Sequence, residues 1–243
     1  MKKDITICTP FYNEELGLKK YFYSLEKIVE LLDKKVEFNF LFIDDGSNDN
    51  TLKILEDYQL RNKQFNIQIH KHNKNYGYGA TLINSINLCK TRYLVTYDAD
   101  CVYDYKIIDK FLELISKEDY DIINVSYKLS KEKILNASYY RQFLSWCCSI
   151  IYKAVFKETR RYNVDVLTCS YRIYKLENIK KIKLLSNDFS CISELMIKAM
   201  KNKLKILEIP GAHLDREYGL SKMRIIKNIY NHLKSIFFLM FNR

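Results

Sequence analysis

Glycine and proline are scarce in this chain of 243 residues, with 6 and 2 copies. Each remaining one is therefore expected where the backbone demands it. No run approaches the roughly 20 apolar residues that a membrane span needs. The longest candidate, Ile236-Phe237-Phe238-Leu239-Met240-Phe241, suits a helix lying at an interface instead. The seven cysteines, at 8, 89, 101, 147, 148, 169 and 191, are odd in number and include no Cys-x-x-Cys pair. With no histidine at metal spacing either, they read as buried thiols of a reducing compartment. Two lysines and a short strand-like run open the chain, which is not the pattern of a secretory leader. There is no internal repeat, low-complexity stretch or linker, so one domain with a C-terminal appendage is expected.

Apolar residues make up 48% and charged residues 28% of the chain, ordinary for a globular protein long enough to bury a full core. The net charge of +11, carried largely by lysine, suits an anionic partner: phosphates, an acidic membrane surface or nucleic acid. A general enrichment in Lys, Asn, Ile and Tyr accounts for the charge equally well. Nucleic acid is not expected, because the basic residues are spread along the chain without a recognition motif.

The periodicity alternates strands with helices. Ile5-Thr6-Ile7-Cys8 ends at Thr9-Pro10, and Leu18, Tyr21, Leu25, Ile28 and Leu32 follow at helical spacing. Phe38-Asn39-Phe40-Leu41-Phe42-Ile43 ends at Asp44-Asp45-Gly46-Ser47, where Asp49 or Ser47 can cap the next helix. Ile67-Gln68-Ile69 is a weaker strand, followed by a glycine turn at 75–80 and a helix through Leu82 and Ile86. Tyr93-Leu94-Val95-Thr96 leads into Tyr97-Asp98-Ala99-Asp100. Further on, 121–125 reads as a strand and 136–156 as a helix with Phe143, Leu144, Cys147, Ile151 and Val155 inward. Residues 164–174 read as extended, then come a helix through Leu195 and a strand at 206–209. From Ser221 on, apolar residues line one side of a basic amphipathic helix.

Such alternation predicts an α/β fold with a mostly parallel central sheet flanked by helices. Ligands of such sheets bind beyond the carboxyl ends of the strands, where residues 10–14, 44–45 and 98–100 all fall. Asp98 and Asp100, one residue apart at a strand end, can converge on one hard cation.

Several motifs carry a resemblance. Thr9-Pro10-Phe11-Tyr12-Asn13-Glu14, Asp44-Asp45-Gly46-Ser47, the glycine turn at 75–80 and Asp98-Ala99-Asp100 resemble, in order and spacing, the family 2 glycosyltransferases of GT-A (Rossmann-like) fold. Arg141-x-x-x-Ser145, Thr168-Cys169-Ser170-Tyr171-Arg172, Glu194, Glu208-Ile209-Pro210 and Arg216-x-x-Gly219-x-Ser221-Lys222 look like the branch acting on polyprenyl phosphates, typified by dolichol-phosphate mannosyltransferase. The resemblance implies a GT-A domain over 1–220, with a nucleotide-sugar half at 1–115 and an acceptor half at 116–220. The amphipathic segment at 221–243 would lie on the membrane.

It further implies an inverting transfer of a hexose, mannose favoured, from a nucleotide sugar to a polyprenyl (dolichyl-type) phosphate. Pro10, Tyr12, Glu14, Ile43, Asp45, Asp98, Ala99 and Asp100 would bind the donor, with Asp45 accepting from a ring N–H of the base. Asp98 and Asp100 would hold Mg²⁺ or Mn²⁺ as a Lewis acid on the diphosphate. Lys128, Arg141, Ser145, Arg172, Arg216 and Lys222 would clamp the acceptor phosphate, and Arg216 joins Asp98 and Asp100 as catalytic. GDP-mannose leads as donor, with UDP-sugars behind it. The protein would sit peripherally on the cytoplasmic face of a membrane, with room for a membrane-anchoring partner.

Departures from the family pattern bear on the details. Val102 stands where the family often has a metal-linked Gln, Asp104 offers a substitute, and Ser170 replaces a usual Gly. His213 is a candidate metal ligand, and Asp188 and Glu194 are candidate bases if the acceptor is a hydroxyl. Each residue also has a plainer use: Asp44 and Asp49 as turn and cap, Arg172 and Lys128 in surface ion pairs. A soluble transferase acting on a glycan or protein hydroxyl, and a non-catalytic nucleotide-sugar-binding relative, are the alternatives.

Overall fold

In the computed structural model the described residues are 2–130, 139–212, 214 and 225–241, the side chains of 139–141 excepted. Runs rich in Val, Ile, Phe and Tyr pair into one sheet: β1 (Lys3–Phe11), β2 (Val36–Asp44), β3 (Asn66–Lys71), β4 (Tyr93–Thr96), β5 (Ile122–Ser126), β6 (Arg172–Lys175) and β7 (Ile206–Pro210). Their order is β3-β2-β1-β4-β6-β5-β7. β6 runs antiparallel to β4 and β5, and the remaining pairs are parallel.

The helices are α1 (Leu18–Leu32), α2 (Thr51–Arg61), α3 (Tyr78–Leu88), α4 (Ile107–Lys117), α5 (Tyr139–Val155), α6 (Leu176–Ile179), α7 (Ser190–Lys201) and α8 (Ile225–Phe241). Strand side chains alternate faces, and two cores result. Ile5, Ile7, Phe40, Phe42 and Val95 meet Leu25 and Ile28 of α1, Leu55 of α2 and Phe111 of α4. Cys8, Leu41, Ile43 and Leu94 meet Leu82 of α3, Tyr152 of α5, Leu195 and Met196 of α7, and Ile236 and Leu239 of α8. Each such Ile, Leu or Phe contributes roughly 1.5–3 kcal/mol when fully buried.

Beneath the carboxyl edge of β1, β2 and β4 lies a run of rings. Phe11 meets Tyr21 edge-on at 5.1 Å between centroids, Tyr97 meets Tyr171 at 5.3 Å, and Phe111 meets Tyr171 at 5.4 Å. The rings are buried and closely packed, and the loops stand above them.

Two expectations are corrected. Of the stretch 164–174, only residues 172–174 pair as a strand, within β6 (Arg172–Lys175). The Glu208 carboxylate accepts from the Asp165 and Val166 backbone N–H groups, which supplies partners in place of a ladder. The second correction concerns α5, whose inward face is Ser149 and Tyr152, while Phe143, Ile151 and Val155 are exposed. The Ser149 hydroxyl accepts from Leu167 N–H and donates to the Ser145 carbonyl, so a polar contact sets the helix's rotation against its apolar periodicity.

Candidate active site

The first wall comes from β1 and β2. From Ile5 on, β1 stays buried through Phe11 except for half-buried Pro10, and Tyr12 and Glu14 follow half-buried. Asn13, at φ +52°, turns the chain there, with its N–H donating to Ser47 Oγ and its Oδ1 accepting from Asn48 N–H. Glu14 N–H donates to Thr51 Oγ1, and Asp49 accepts from Thr51 and Glu15 N–H, which makes Asp49 a turn and helix-start residue. Asp44 is fully buried, accepts from Ser47 N–H at 3.2 Å, and leaves its Oδ1 without a partner. Gly46, at φ +70°, crosses Lys74 so closely that a Cβ would lie 2.3 Å from the Lys74 carbonyl carbon. Only glycine fits there.

Asp45 is 4% exposed and accepts three hydrogen bonds: from His72 Nδ1 at 2.7 Å and Tyr76 N–H at 2.9 Å on Oδ1, and from Gly77 N–H at 2.9 Å on Oδ2. It therefore ties β2 to the turn that opens α3. That turn leans on the opposite wall. A Cβ on Gly77, at φ +95°, would lie 2.5 Å from the Asn187 carbonyl oxygen, and Gly79 N–H donates to the same carbonyl at 2.8 Å. Ile43 is 0% exposed, its side chain packed in the core with Leu41 and Leu82.

The third wall is the turn after β4. The strand ends at Thr96, so alternation no longer governs Asp98 and Asp100. A turn does, closed by Cys101 N–H donating to the Asp98 carbonyl at 3.2 Å with Cys101 at φ +52°. Both carboxylates are half-buried, whereas Ala99 between them is packed in the core. Ser170 Oγ donates to Asp98 Oδ2. Two hard oxygen donors at a solvent-reachable turn fit a divalent cation that takes its other ligands from a diphosphate and water. Among the described residues no third His, Cys, Asp or Glu completes a metal-binding group. Burial pushes the neighbouring Cys101 thiol up.

The acceptor-side residues divide. Ser145 and Thr168 hydroxyls hydrogen-bond, and Thr168 leads to Ser170 and so to Asp98. Lys128 is exposed beside them, its Nζ 5.2 Å from the Trp146 ring centre. Arg172 does not join this group. It is 0% exposed, and its guanidinium donates to Asn124 Oδ1, the Ile192 carbonyl and the Leu167 carbonyl. Asn124 in turn donates to Glu208, whose carboxyl burial pushes up. Arg172 thus holds the 164–170 segment rather than a phosphate. His213, Arg216, Lys222 and the side chain of Arg141 lie outside the described residues.

Glu194 is 2% exposed and accepts from Leu185 and Ser186 N–H at 2.9 Å each and from Lys198 Nζ at 2.6 Å. It braces the loop that presses on the glycine turn. Asp188, half-buried, accepts from Ser190 N–H at the start of α7. Sequence reasoning missed His72 and Asn84, which back Asp45, because nothing in their local spacing announces a partner. Trp146 was missed because α5 was read in a different rotation.

Comparison with known proteins agrees with this geometry. The chain is 26% identical over 226 residues, 91% of its length and 86% of the relative's, to an uncharacterised protein of Methanocaldococcus jannaschii. It is 27% identical over 225 residues to the undecaprenyl-phosphate 4-deoxy-4-formamido-L-arabinose transferase of Proteus mirabilis, covering 93% of this chain and 64% of that protein. Glucosyl-3-phosphoglycerate synthase of Mycobacterium tuberculosis, crystallised with Mn²⁺, UDP and glucosyl-3-phosphoglycerate, superposes with a TM-score of 0.70. At 14% identity, over 98% of this chain and 79% of that one, it shares the GT-A fold. The model of glycosyl transferase family 2 matches residues 6–183, and the chain belongs to that family.

Proposed function

We propose that the protein transfers a hexose, with inversion, from a nucleoside diphosphate sugar to a polyprenyl phosphate at a membrane surface. The observation that carries the acceptor is the position of α5. Through Ser145, Thr168 and Ser170 its first turns reach Asp98, and on its outer side Phe143 and Trp146 are exposed. α8 packs beside α5 and exposes Ile226, Ile229, Leu233, Phe237 and Phe241. Neither 17-residue helix carries an Asp or Glu. An apolar, carboxylate-free surface on the helix that carries Ser145 suits an anionic bilayer presenting a lipid phosphate.

The chemistry follows from the acceptor. A monoalkyl phosphate with a second pKa near ~6 is largely dianionic at neutral pH and needs no base. Its oxygen attacks the anomeric carbon, the bond from that carbon to the diphosphate oxygen breaks, and nucleoside diphosphate leaves. Asp98 and Asp100 would hold a divalent cation, which neutralises charge on the departing diphosphate. Lys128 and Ser145 orient the attacking phosphate. Glu194 is occupied by the Leu185 and Ser186 N–H groups and Lys198 and so is not placed as a base. The arabinose-derivative transferase of Proteus mirabilis is named for an undecaprenyl-phosphate acceptor, which supports the same class. GDP-mannose and UDP-sugars both satisfy the donor reading.

The test is transfer from a panel of GDP- and UDP-sugars to a short polyprenyl phosphate, with Mn²⁺, with Mg²⁺ and with chelator. Metal-dependent formation of one lipid phosphate sugar is the expected result. Transfer to a glycan hydroxyl with none to the lipid phosphate would overturn the acceptor.

A further inference from the structure

The loop at 185–189 is held from two sides, and the side chain at its end is apolar. Glu194 takes the Leu185 and Ser186 N–H groups, and the Asn187 carbonyl takes Gly79 N–H at 2.8 Å. A Cβ on Gly79 would lie 2.2 Å from the Ser186 carbonyl oxygen, so loop and glycine turn touch backbone to backbone. Phe189 follows, 39% exposed, with its ring stacked on Tyr78 at 5.1 Å between centroids and 20° between planes. Tyr78 opens α3 directly after Gly77, whose N–H serves Asp45, and packs against the second core. Burial and then the Asp98 carboxylate raise the pKa of its hydroxyl, so this ring stands within electrostatic reach of the carboxylate turn.

Tyr78 lies against one face of the Phe189 ring, so the exposed area belongs to the other face and the edges. In the adjacent residue, Asp188 Oδ1 accepts from Ser190 N–H at 2.9 Å, and Oδ2 takes no hydrogen bond from the described residues. A pyranose matches this pair of groups. Its C–H faces suit the negative π face of a ring, and its hydroxyls need acceptors. A hydrocarbon chain on the ring would leave the open carboxylate oxygen desolvated without a partner, and a bare diphosphate would be repelled by it.

We propose that Phe189, backed by Tyr78, is the stacking contact for the pyranose ring of the sugar nucleotide, beside the open oxygen of Asp188. This rests on the donor-site reading above, in which a diphosphate held at Asp98 and Asp100 brings its hexose to the same rim. The contact is made to the sugar and not to the nucleotide. Phe189 therefore separates the two halves of the donor: it adds affinity for the sugar nucleotide and none for the nucleoside diphosphate that remains after transfer. An aromatic face with one polar group beside it is also how concave sites fix the orientation of a ligand.

The experiment is isothermal titration of the full chain with UDP, UDP-glucose, GDP and GDP-mannose in the presence of Mn²⁺, for the wild type, Phe189→Ala and Phe189→Tyr. The quantity read is the affinity for the sugar nucleotide divided by that for its bare diphosphate. Phe189→Ala is expected to lower this ratio by roughly 3- to 10-fold, the scale of one aromatic stacking contact, while affinity for the bare diphosphate holds. Phe189→Tyr keeps the ring and should keep the ratio. An unchanged ratio in Phe189→Ala would overturn the contact and leave the donor site standing, and a higher KM for the lipid phosphate in the same variant would assign the ring to the acceptor instead. A wild type that binds none of the four nucleotides would overturn the donor-site reading itself. Should Phe189→Ala not fold, proton spectra of the wild type decide: the ring current should move the pyranose C–H resonances of the bound sugar nucleotide upfield, and their staying in place overturns the contact.

Discussion

Ser170 Oγ donates to Asp98 Oδ2, joining the loop before β6 to the turn after β4 across 72 residues of sequence. The bond steadies one carboxylate oxygen of the pair that would hold the proposed cation. Asp98→Asn or Asp100→Asn should lower kcat by roughly 10²–10³-fold, the scale of losing one preorganised charge-stabilising group. Mn²⁺-dependent nucleotide affinity should fall with it, while the melting temperature holds. Ser170→Ala, which removes this bond and keeps Asp98, should cost under about tenfold.

Arg172 and Lys128 should separate cleanly. Arg172→Ala leaves Asn124 Oδ1 and two carbonyls unpaired in a closed core, and is expected to destabilise by about 3 kcal/mol or more in urea unfolding. Lys128→Ala, at an exposed site, should leave stability within about 0.5 kcal/mol and raise KM for the lipid phosphate.

Glu194→Gln puts an amide donor against the N–H groups of Leu185 or Ser186. A loss of about 2 kcal/mol of stability is expected. The pH–rate profile of the folded fraction should keep its shape, whereas removal of a general base would flatten its acid limb.

The apolar face of α5 and α8 should bind anionic vesicles. Replacing both Trp146 and Phe237 by Glu is expected to abolish flotation with anionic lipid while leaving soluble nucleotide binding intact. Binding of the wild type should weaken as salt rises, since its lysines see the surface through a Debye length of about 8 Å at physiological ionic strength.

His232 on α8 is buried against Tyr152, with its Nδ1 3.3 Å from the Tyr152 hydroxyl, and burial lowers its pKa to about 4 while nearby Asp188 pulls the other way. The unfolded chain, titrating near 6.5, binds the proton first on acidification. Docking of α8 is therefore fully stable above about pH 6.5 and loses stability as pH falls toward about 4, by up to about 3 kcal/mol. His232→Leu should flatten the slope of unfolding free energy between those pH values.

The strand–helix alternation, the mostly parallel sheet and the three polar strand ends were legible in the sequence, because each is written in a local period or a contiguous motif. β4 was read to the residue, and the carboxylates beyond it were placed at the correct edge. The use of individual side chains was decided by tertiary structure. Arg172 sits beside the same motif whether it faces solvent or core, and only Asn124, 48 residues away, claims it for the interior. Glu194 looked like a possible base until the backbone of 185–186 closed on it. The apolar stripe of α5 suited either rotation, and a polar contact between Ser149 and Leu167 chose the one that bares Phe143 and Trp146. Periodicity records how much of a helix or strand is apolar; which partner each polar atom finds is set by chain segments that meet only after folding.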